Sequence, residues 1–319
     1  MNTAPFEQNI IAMVWDFDKT LISGYMQEPL FKRYGIEGKT FWSEVNRLGA
    51  YYAKRGIQVN RDTNYLNHIL TYVKSGLMRG LSNRILRECG AELHFYPGLP
   101  ELLPSIKLLI EQNPLYQTLG IRLEHYVVST GFAETIRGSA VAPYVDGIFG
   151  CEFIESPAPP GFKDDMNIEE EAEISQIASA LDNTSKTRFL FEINKGANKY
   201  PGTIDVNSKI EENNRRIPFE NMIYIADGPS DVPAFSILNK FGGTTYAIYP
   251  SGDRAALRQV DALRREGRIQ MFGEANYSEG SLSWMWLTEQ VGQIANHLVQ
   301  KHVTNVRQSA SVPPSHLNS

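Results

Sequence analysis

The stretch IIAMVWDFDKT, residues 10–20, decides the fold of this chain. Its first six residues are all apolar, which is typical of a strand buried on both faces within a parallel sheet. Two aspartates, Asp16 and Asp18, follow at once and flank Phe17. A buried carboxylate is costly unless hydrogen-bond donors or a cation surround it. The sequence therefore predicts a strand that delivers two acidic groups to one place, together with something that neutralises them.

The composition narrows the class of protein. The chain has 319 residues and 42% hydrophobic content, enough for one large domain or two smaller ones. Its 31 basic and 36 acidic residues give a net charge of -5, which argues against binding to nucleic acid or to an anionic membrane. Small molecules are therefore the expected partners, and the oligomeric state is left open.

Cysteine use and the distribution of apolar residues indicate a cytoplasmic protein. The two cysteines, Cys89 and Cys151, are too few for a disulfide framework and are expected in the core. No stretch approaches the roughly 20 apolar residues that span a bilayer, and the N-terminal segment lacks the pattern of a secretion signal.

The chain alternates between strand and helix patterns after one long interruption. Residues 24–94 carry several helical patterns and no convincing strand, which predicts a helical insertion. Beyond it, apolar strands alternate with amphipathic helices, and this alternation predicts an α/β fold with a parallel sheet covered by helices on both faces. We expect the catalytic core to comprise 1–23 and 95–304, and the tail at 305–319, rich in Ser, Pro and Asn, to be disordered.

Two segments within the core have simpler expectations. Residues 144–154, YVDGIFGCEFI, predict a short hairpin, and the acidic run at 164–174 predicts a solvated surface segment. The stretch at 198–218 is longer than a minimal connection, and the sequence assigns it no role.

Polar side chains follow three of the predicted strands. Asp16, Ser129 and Asp227 each stand where an apolar strand ends. In a parallel sheet these ends meet at one edge, where ligands bind. Asp231, four residues after Asp227, adds a further carboxylate. Such a group of acids repels itself unless a divalent cation lies among them, and oxygen ligands favour Mg²⁺.

Each of these residues also has a structural explanation. A single aspartate after a strand is often a turn former, and Asp227 and Asp231 could be a turn and a helix cap. Ser129 could cap the helix that follows it. The explanations are compatible, because Ser129, Thr130 and Gly131 before a helix also present a hydroxyl and backbone N–H groups that suit a phosphoryl oxygen.

Two lysines lie at opposite ends of one predicted helix, residues 186–195. Lys195, in the last turn before Gly196, lies favourably against the helix dipole and needs no special role. Lys186 lies at the unfavourable end and shares the apolar face of Leu190 and Ile193. A cation that points inward at that end indicates a buried anionic partner, so Lys186 is preferred over Lys195 as the phosphate-binding lysine.

Phosphoryl transfer uses this combination of groups. One carboxylate attacks phosphorus and forms an aspartyl phosphate, while a metal ion and a lysine neutralise the phosphoryl oxygens. A second carboxyl group two residues along can protonate the leaving alcohol and then activate water.

The chain resembles the haloacid dehalogenase-like (HAD) superfamily. The resemblance is carried by the DFDKTL stretch from Asp16, Ser129 at the end of an apolar strand, Lys186, and the DGPSD stretch from Asp227 to Asp231, in that order. It implies a Rossmann-like core with Asp16 as nucleophile and Asp18 as general acid and base. It also implies Mg²⁺ held by the Asp16 side chain, the Asp18 backbone carbonyl and Asp227, with Asp231 as a ligand or a support.

The insertion at 24–94 is similar to the C1-type cap of phosphoserine-phosphatase-like members of the superfamily. Such a cap implies hydrolysis of a phosphomonoester of a small metabolite. The same motifs fit a phosphomutase or phosphotransferase. A non-enzymatic phospho-acceptor switch is a third reading, against which Asp18 and the large insertion count.

Overall fold

The computed structural model describes residues 6–163 and 172–311, with side chains described as far as residue 304. Most of the acidic run predicted as a surface segment, residues 164–171, lies outside this part of the chain.

Seven strands form one sheet at the centre of the molecule. Their order across the sheet is β4-β3-β2-β1-β5-β6-β7, and every neighbouring pair is parallel except β3 and β4. The strand bounds are β1 (Ile10–Trp15), β2 (Arg122–Phe132), β3 (Gly147–Ile154), β4 (Gln176–Ser179), β5 (Met222–Ala226), β6 (Thr244–Tyr249) and β7 (Met271–Glu274). Strand β1 lies in the middle, and the chain order reverses beside it, where ligands bind in open α/β sheets.

Eleven α-helices accompany the sheet in the described part of the chain. Their bounds are α1 (Glu28–Arg33), α2 (Gly38–Ala53), α3 (Asn64–Lys74), α4 (Asn83–Gly90), α5 (Leu102–Glu111), α6 (Pro114–Thr118), α7 (Ala133–Arg137), α8 (Lys186–Lys195), α9 (Val232–Lys240), α10 (Arg254–Arg265) and α11 (Leu282–Ser311). None of these helices is long and apolar enough to cross a membrane.

Helices cover both faces of the sheet, as two successive residues of β2 show. The His125 ring contacts the backbone carbonyl of Leu103 in α5, whereas the Tyr126 ring stacks on Phe149, which in turn stacks on Phe189 of α8. Because neighbouring side chains of a strand point to opposite faces, α5 and α8 lie on opposite sides of the sheet. The α/β fold predicted from the sequence is confirmed.

Helices α1 to α4 form the insertion between β1 and β2. The chain leaves and re-enters the core at adjacent points, because Ile22 forms a bridge with Phe95. Helix α4 packs backbone to backbone on α7: a Cβ atom at Gly90 would lie 2.1 Å from the Thr135 carbonyl oxygen, and one at Gly138 would lie 1.8 Å from the Arg87 carbonyl oxygen. Both positions therefore require glycine.

Several local expectations have definite outcomes. Cys89 and Cys151 are buried as predicted. The hairpin predicted within 144–154 is wrong, because this segment forms the single strand β3. A Cβ atom at Gly150, within this strand, would lie 2.9 Å from the Ala133 backbone nitrogen, so the glycine allows close packing. Helix α11 continues to Ser311, into the segment 305–319 that was expected to be a disordered tail.

We predict that His125 makes the stability of the fold depend on pH. The ring is fully buried; Nδ1 accepts a hydrogen bond from Trp15 Nε1 at 3.2 Å, and Nε2 lies 3.0 Å from the Leu103 carbonyl oxygen. Burial lowers the pKa of His125 to about 3. Its neutral form therefore stabilises the folded state above the unfolded pKa of about 6.5, and this stabilisation is lost as the pH falls.

Urea unfolding of the native chain and of His125→Gln at about pH 7.5 and pH 5.5 tests this prediction. The native chain should lose about 1.4 kcal/mol relative to the variant between these pH values, since other titrating groups contribute equally to both proteins. A difference between the two proteins that stays constant with pH would contradict the assignment.

Candidate active site

The strand register brings the predicted site residues to one edge of the sheet. Trp15 is paired with Val127 of β2 and with Ile225 of β5, so the residues that follow these three paired positions lie side by side. The backbone N–H of Asp16 donates to the Ile225 carbonyl oxygen at 2.9 Å, which fixes Asp16 beside the end of β5. The convergence expected from the sequence is thus present.

Lys186 connects two of the aspartates within the protein interior. Its ammonium group lies 2.6 Å from Asp16 Oδ1 and 2.7 Å from Asp231 Oδ1, and all three side chains are buried. Burial favours the neutral amine, but the two carboxylates outweigh it and raise the pKa of Lys186 above its usual range. Lys186 is therefore a permanent cation in the site.

Lys195 lies elsewhere, at the other end of α8. Its ammonium group donates to the carbonyl oxygens of Val206 at 2.6 Å and Ser208 at 2.8 Å. It thus holds part of the long connection at 198–218, and the sequence-based preference for Lys186 at the carboxylates agrees with this geometry.

Asp16, Asp227 and Asp231 form one compact group of carboxylates. Each offers an oxygen, and these oxygens lie within 4.8 Å of one another. Burial, together with the charges of Asp16 and Asp231, raises the pKa of Asp227 to about 7. Burial also raises the pKa of Asp16, although Lys186 acts in the opposite direction. Lys186 therefore compensates the charge of this group only in part.

The donor set fits Mg²⁺. Hard carboxylate oxygens at this spacing are the ligands that Mg²⁺ prefers. Asp231 already accepts hydrogen bonds from Tyr224 OH at 2.6 Å and Ser230 Oγ at 2.9 Å, in addition to Lys186. Asp231 thus accepts three hydrogen bonds and Asp16 two, from Thr20 and Lys186, which leaves Asp16 and Asp227 more lone pairs for an ion.

Asp18 lies beside the cluster and differs from it. Its carboxylate Oδ1 accepts the backbone N–H of Met26 at 2.9 Å, at the start of the insertion. Burial, and next the charge of Asp16, raise the pKa of Asp18 to about 8. A carboxyl group in this range can exist in both protonation states near neutral pH, which suits a group that gives up and takes back a proton.

Ser129, Thr130 and Gly131 occupy the end of β2 next to the cluster. The backbone N–H of Gly131 donates to Ser129 Oγ at 3.0 Å, which leaves the Ser129 O–H able to donate to a further acceptor. The Thr130 carbonyl oxygen accepts the hydroxyl of Tyr65, from α3, at 2.6 Å. A Cβ atom at Gly131 would lie 2.3 Å from Met26 Cε, so the Met26 side chain would have to move to admit any other residue here.

Several contacts at the site carried no signal in the sequence. Thr20 Oγ1 donates to Asp16 Oδ2 at 2.9 Å. Tyr224 reads as one apolar residue in a buried strand, and Tyr65 and Met26 read as packing residues of the insertion. Of these contacts, only the one between Thr20 and Asp16 could have been suggested by the sequence, because the two residues are four positions apart.

Lys19, directly after Asp18, has a strained backbone. Its φ of +58° lies in the left-handed region, which costs a residue other than glycine about 1–2 kcal/mol. Its ammonium group donates to Tyr25 OH at 2.6 Å and lies 4.3 Å from the centre of the Tyr25 ring. Lys19 therefore points from the acidic site toward the insertion.

Comparison with known proteins places the chain in a family. No family model matches it. A protein of Borreliella burgdorferi, described as uncharacterized, is 38% identical over 289 residues, which cover 89% of this chain and 97% of that protein. The chain belongs to the same family as that protein.

Solved structures to which the chain is similar include a HAD-family hydrolase of Salmonella enterica serovar Typhi, with 15% identity and a TM-score of 0.48, covering 84% of this chain and 68% of that one. A phosphoserine phosphatase with an analogue of its phospho-aspartyl intermediate shows 15% identity and a TM-score of 0.44, covering 83% and 93%.

We predict that Lys186→Met destabilises the fold far more than Lys195→Met. The first variant leaves two buried carboxylates without their cation, a change that costs about 3–5 kcal/mol. The second removes hydrogen bonds to backbone carbonyls in a more exposed place, at a cost of about 1 kcal/mol. Urea unfolding at about pH 8 without divalent cations measures both losses, and equal losses would refute the assignment of the buried cation.

Proposed function

We propose that the protein is a Mg²⁺-dependent phosphatase that hydrolyses the phosphomonoester of a small metabolite through an aspartyl phosphate on Asp16. The observation that carries the proposal is the buried contact of Asp16 with Lys186 at 2.6 Å, within one carboxylate cluster and beside Asp18 with its raised pKa. These are the groups that phosphoryl transfer needs: a nucleophile, cations for the phosphoryl oxygens, and a proton carrier.

Mg²⁺ would be held by Asp16 and Asp227, and the resemblance to the HAD superfamily adds the backbone carbonyl of Asp18. When bound, the ion would supply positive charge to the phosphoryl oxygens. Lys186 would supply the second positive charge, and the Ser129 hydroxyl would donate a hydrogen bond to a phosphoryl oxygen. Asp231 holds Lys186 from the other side, at 2.7 Å, and so fixes the position of the ammonium group.

In the first step the Asp16 carboxylate attacks phosphorus, the bond from phosphorus to the leaving oxygen breaks, and protonated Asp18 gives its proton to that oxygen. Thr20 and Lys186 each bind one oxygen of Asp16, so the nucleophile is oriented before the substrate enters. The products of this step are an alcohol and an aspartyl phosphate.

In the second step the Asp18 carboxylate takes a proton from water, and the water oxygen attacks phosphorus. The bond from phosphorus to Asp16 breaks, which releases inorganic phosphate and restores both aspartates. The insertion would act as a cap over this site. Its contact from Tyr65 to the Thr130 carbonyl and from the Met26 backbone to Asp18 would link closure of the cap to the position of the proton carrier.

We predict that the protein releases phosphate from p-nitrophenyl phosphate with Mg²⁺, and that Asp16→Asn lowers the rate about 1,000-fold or more because an amide cannot form the acyl phosphate. Asp205→Asn, the same substitution at an exposed loop residue, should retain the native rate. Formation of the phosphoenzyme without release of phosphate would instead favour a mutase or a phospho-acceptor switch. Unchanged turnover in Asp16→Asn would overturn the assignment of the nucleophile.

We also predict that Mg²⁺ stabilises the native fold through Asp227. Free ion at 100 times its dissociation constant adds about 2.7 kcal/mol to the free energy of unfolding. Asp227→Asn should lose this gain, and without the ion it should be at least as stable as the native chain, because one repelling carboxylate is removed. Thermal unfolding with Mg²⁺ and with a chelator measures both effects. An undiminished response to Mg²⁺ in Asp227→Asn would place the ion elsewhere.

A further inference from the structure

We propose that the substrate carries a second anionic group on its leaving alcohol, and that Lys19, held in place by Tyr25, binds that group. The inference rests on the proposed phosphatase function and deepens it, because it names the chemical class of the leaving group. It is carried by the placement of Lys19 between the acidic site and a cationic, aromatic groove on the insertion.

The position of Lys19 relative to Asp18 gives the first step. In the proposed mechanism Asp18 protonates the leaving oxygen, so the leaving group departs on the Asp18 side of the phosphoryl group. Lys19 is the next residue, and its side chain extends away from the cluster to Tyr25 at the start of the insertion. Asp18 accepts the backbone N–H of Met26 and Lys19 contacts the hydroxyl of Tyr25, so both side chains face the same segment at the start of the insertion, on the side from which the leaving group would depart.

The backbone of Lys19 gives the second step. A glycine would adopt the left-handed conformation at this position without steric strain. A lysine retains it only where the surroundings compensate for the strain, and on the backbone Lys19 N–H donates to the Gly24 carbonyl oxygen at 3.2 Å. The single hydrogen bond to Tyr25 lies in a partly exposed place and is a weak compensation. Binding of an anion is a stronger one, because a charge-assisted contact is roughly twice as strong as a neutral one.

The groove beside Tyr25 gives the third step. It has a volume of about 620 Å³, within the range of small-molecule sites, and its walls include Tyr25, Phe31, Trp42, Lys39, Arg47 and Glu28. The rings of Tyr25 and Trp42 lie 6.1 Å apart. Lys19 contacts Tyr25 in this wall and, beside Lys39 and Arg47 of the groove, adds a third cationic side chain against the one carboxylate of Glu28. The charge and the aromatic walls of the groove are thus complementary to an anionic organic group.

Lys19 has one competing explanation, which is that it only offsets the nearby carboxylates. Burial lowers the pKa of Lys19, but the Tyr25 contact and then the charges of Asp227 and Asp18 outweigh it and raise that pKa above its usual value. In that case loss of the charge would change the hydrolysis of every substrate equally and would alter the response to Mg²⁺. A role in binding the leaving group predicts a change confined to anionic substrates.

Two matched probes separate these explanations. 4-Carboxyphenyl phosphate and 4-carbamoylphenyl phosphate have nearly the same shape, but only the first carries a second anion. We expect the native enzyme, with Mg²⁺, to prefer the carboxylate probe about tenfold in kcat/KM, mainly through KM. Lys19→Met should reduce the preference to about one by raising KM for the carboxylate probe alone. Tyr25→Phe, which keeps the ring and loses the hydroxyl, should reduce it partly.

Control variants distinguish a loss of substrate preference from a loss of folding, and a failed inference from a failed phosphatase proposal. Lys54→Met removes a charge from an exposed residue at the end of α2 and should retain the native preference. Lys19→Gly should unfold at a temperature no lower than the native chain and still lose the preference, since it removes strain and charge together. A native preference near one, or an equal loss on both probes in Lys19→Met, would overturn the inference. Failure of the native enzyme to hydrolyse either probe would instead refute the phosphatase.

Discussion

The structure depends on one buried cation shared by two carboxylates. Lys186 enters the interior at the beginning of α8 and contacts both Asp16 and Asp231. Neither aspartate could remain charged in that position without it, since an unpaired buried charge costs several kcal/mol. The helix, the central strand and the turn after β5 are therefore held in register by charge compensation as well as by apolar packing. The compensation is incomplete, because three carboxylates meet one fully buried lysine. The negative charge that remains is the reason for proposing a metal ion at this place.

Much of this arrangement follows from short-range patterns in the sequence. The buried run at residues 10–15 sets the central strand, and a sheet of parallel strands brings their carboxyl ends together whatever the distance along the chain. The sequence alone therefore places Asp16, Ser129 and Asp227 at the same edge of the sheet. Lys186 could be chosen over Lys195 because its positive charge is unfavourable both at the N-terminal end of the helix and on the apolar face. Only an anion buried beside it would make that position favourable.

The parts that could not be predicted are contacts between distant segments with no pattern of their own. Tyr224 belongs to a buried strand, where its hydroxyl looks like a minor exception, yet that hydroxyl binds Asp231. Met26 reads as an ordinary apolar residue, although its backbone binds Asp18 and its side chain fills the space beside Gly131. The error at residues 144–154 has the same origin. Glycine serves both turns and close packing, and only the partner at Ala133 decides between them.

The glycine contacts between α4 and α7 have a mechanical consequence. With Gly90 and Gly138 each facing a backbone carbonyl at a distance that excludes a side chain, and with Arg87 paired to Glu134 across the same contact at 2.6 Å, α4 has no freedom to slide. Although α4 belongs to the insertion by its place in the sequence, its packing makes it a rigidly attached part of the core. The proposed cap function would therefore have to be carried by α1 to α3, which contact the core through side chains such as Tyr65, whose hydroxyl donates to the Thr130 carbonyl oxygen at 2.6 Å.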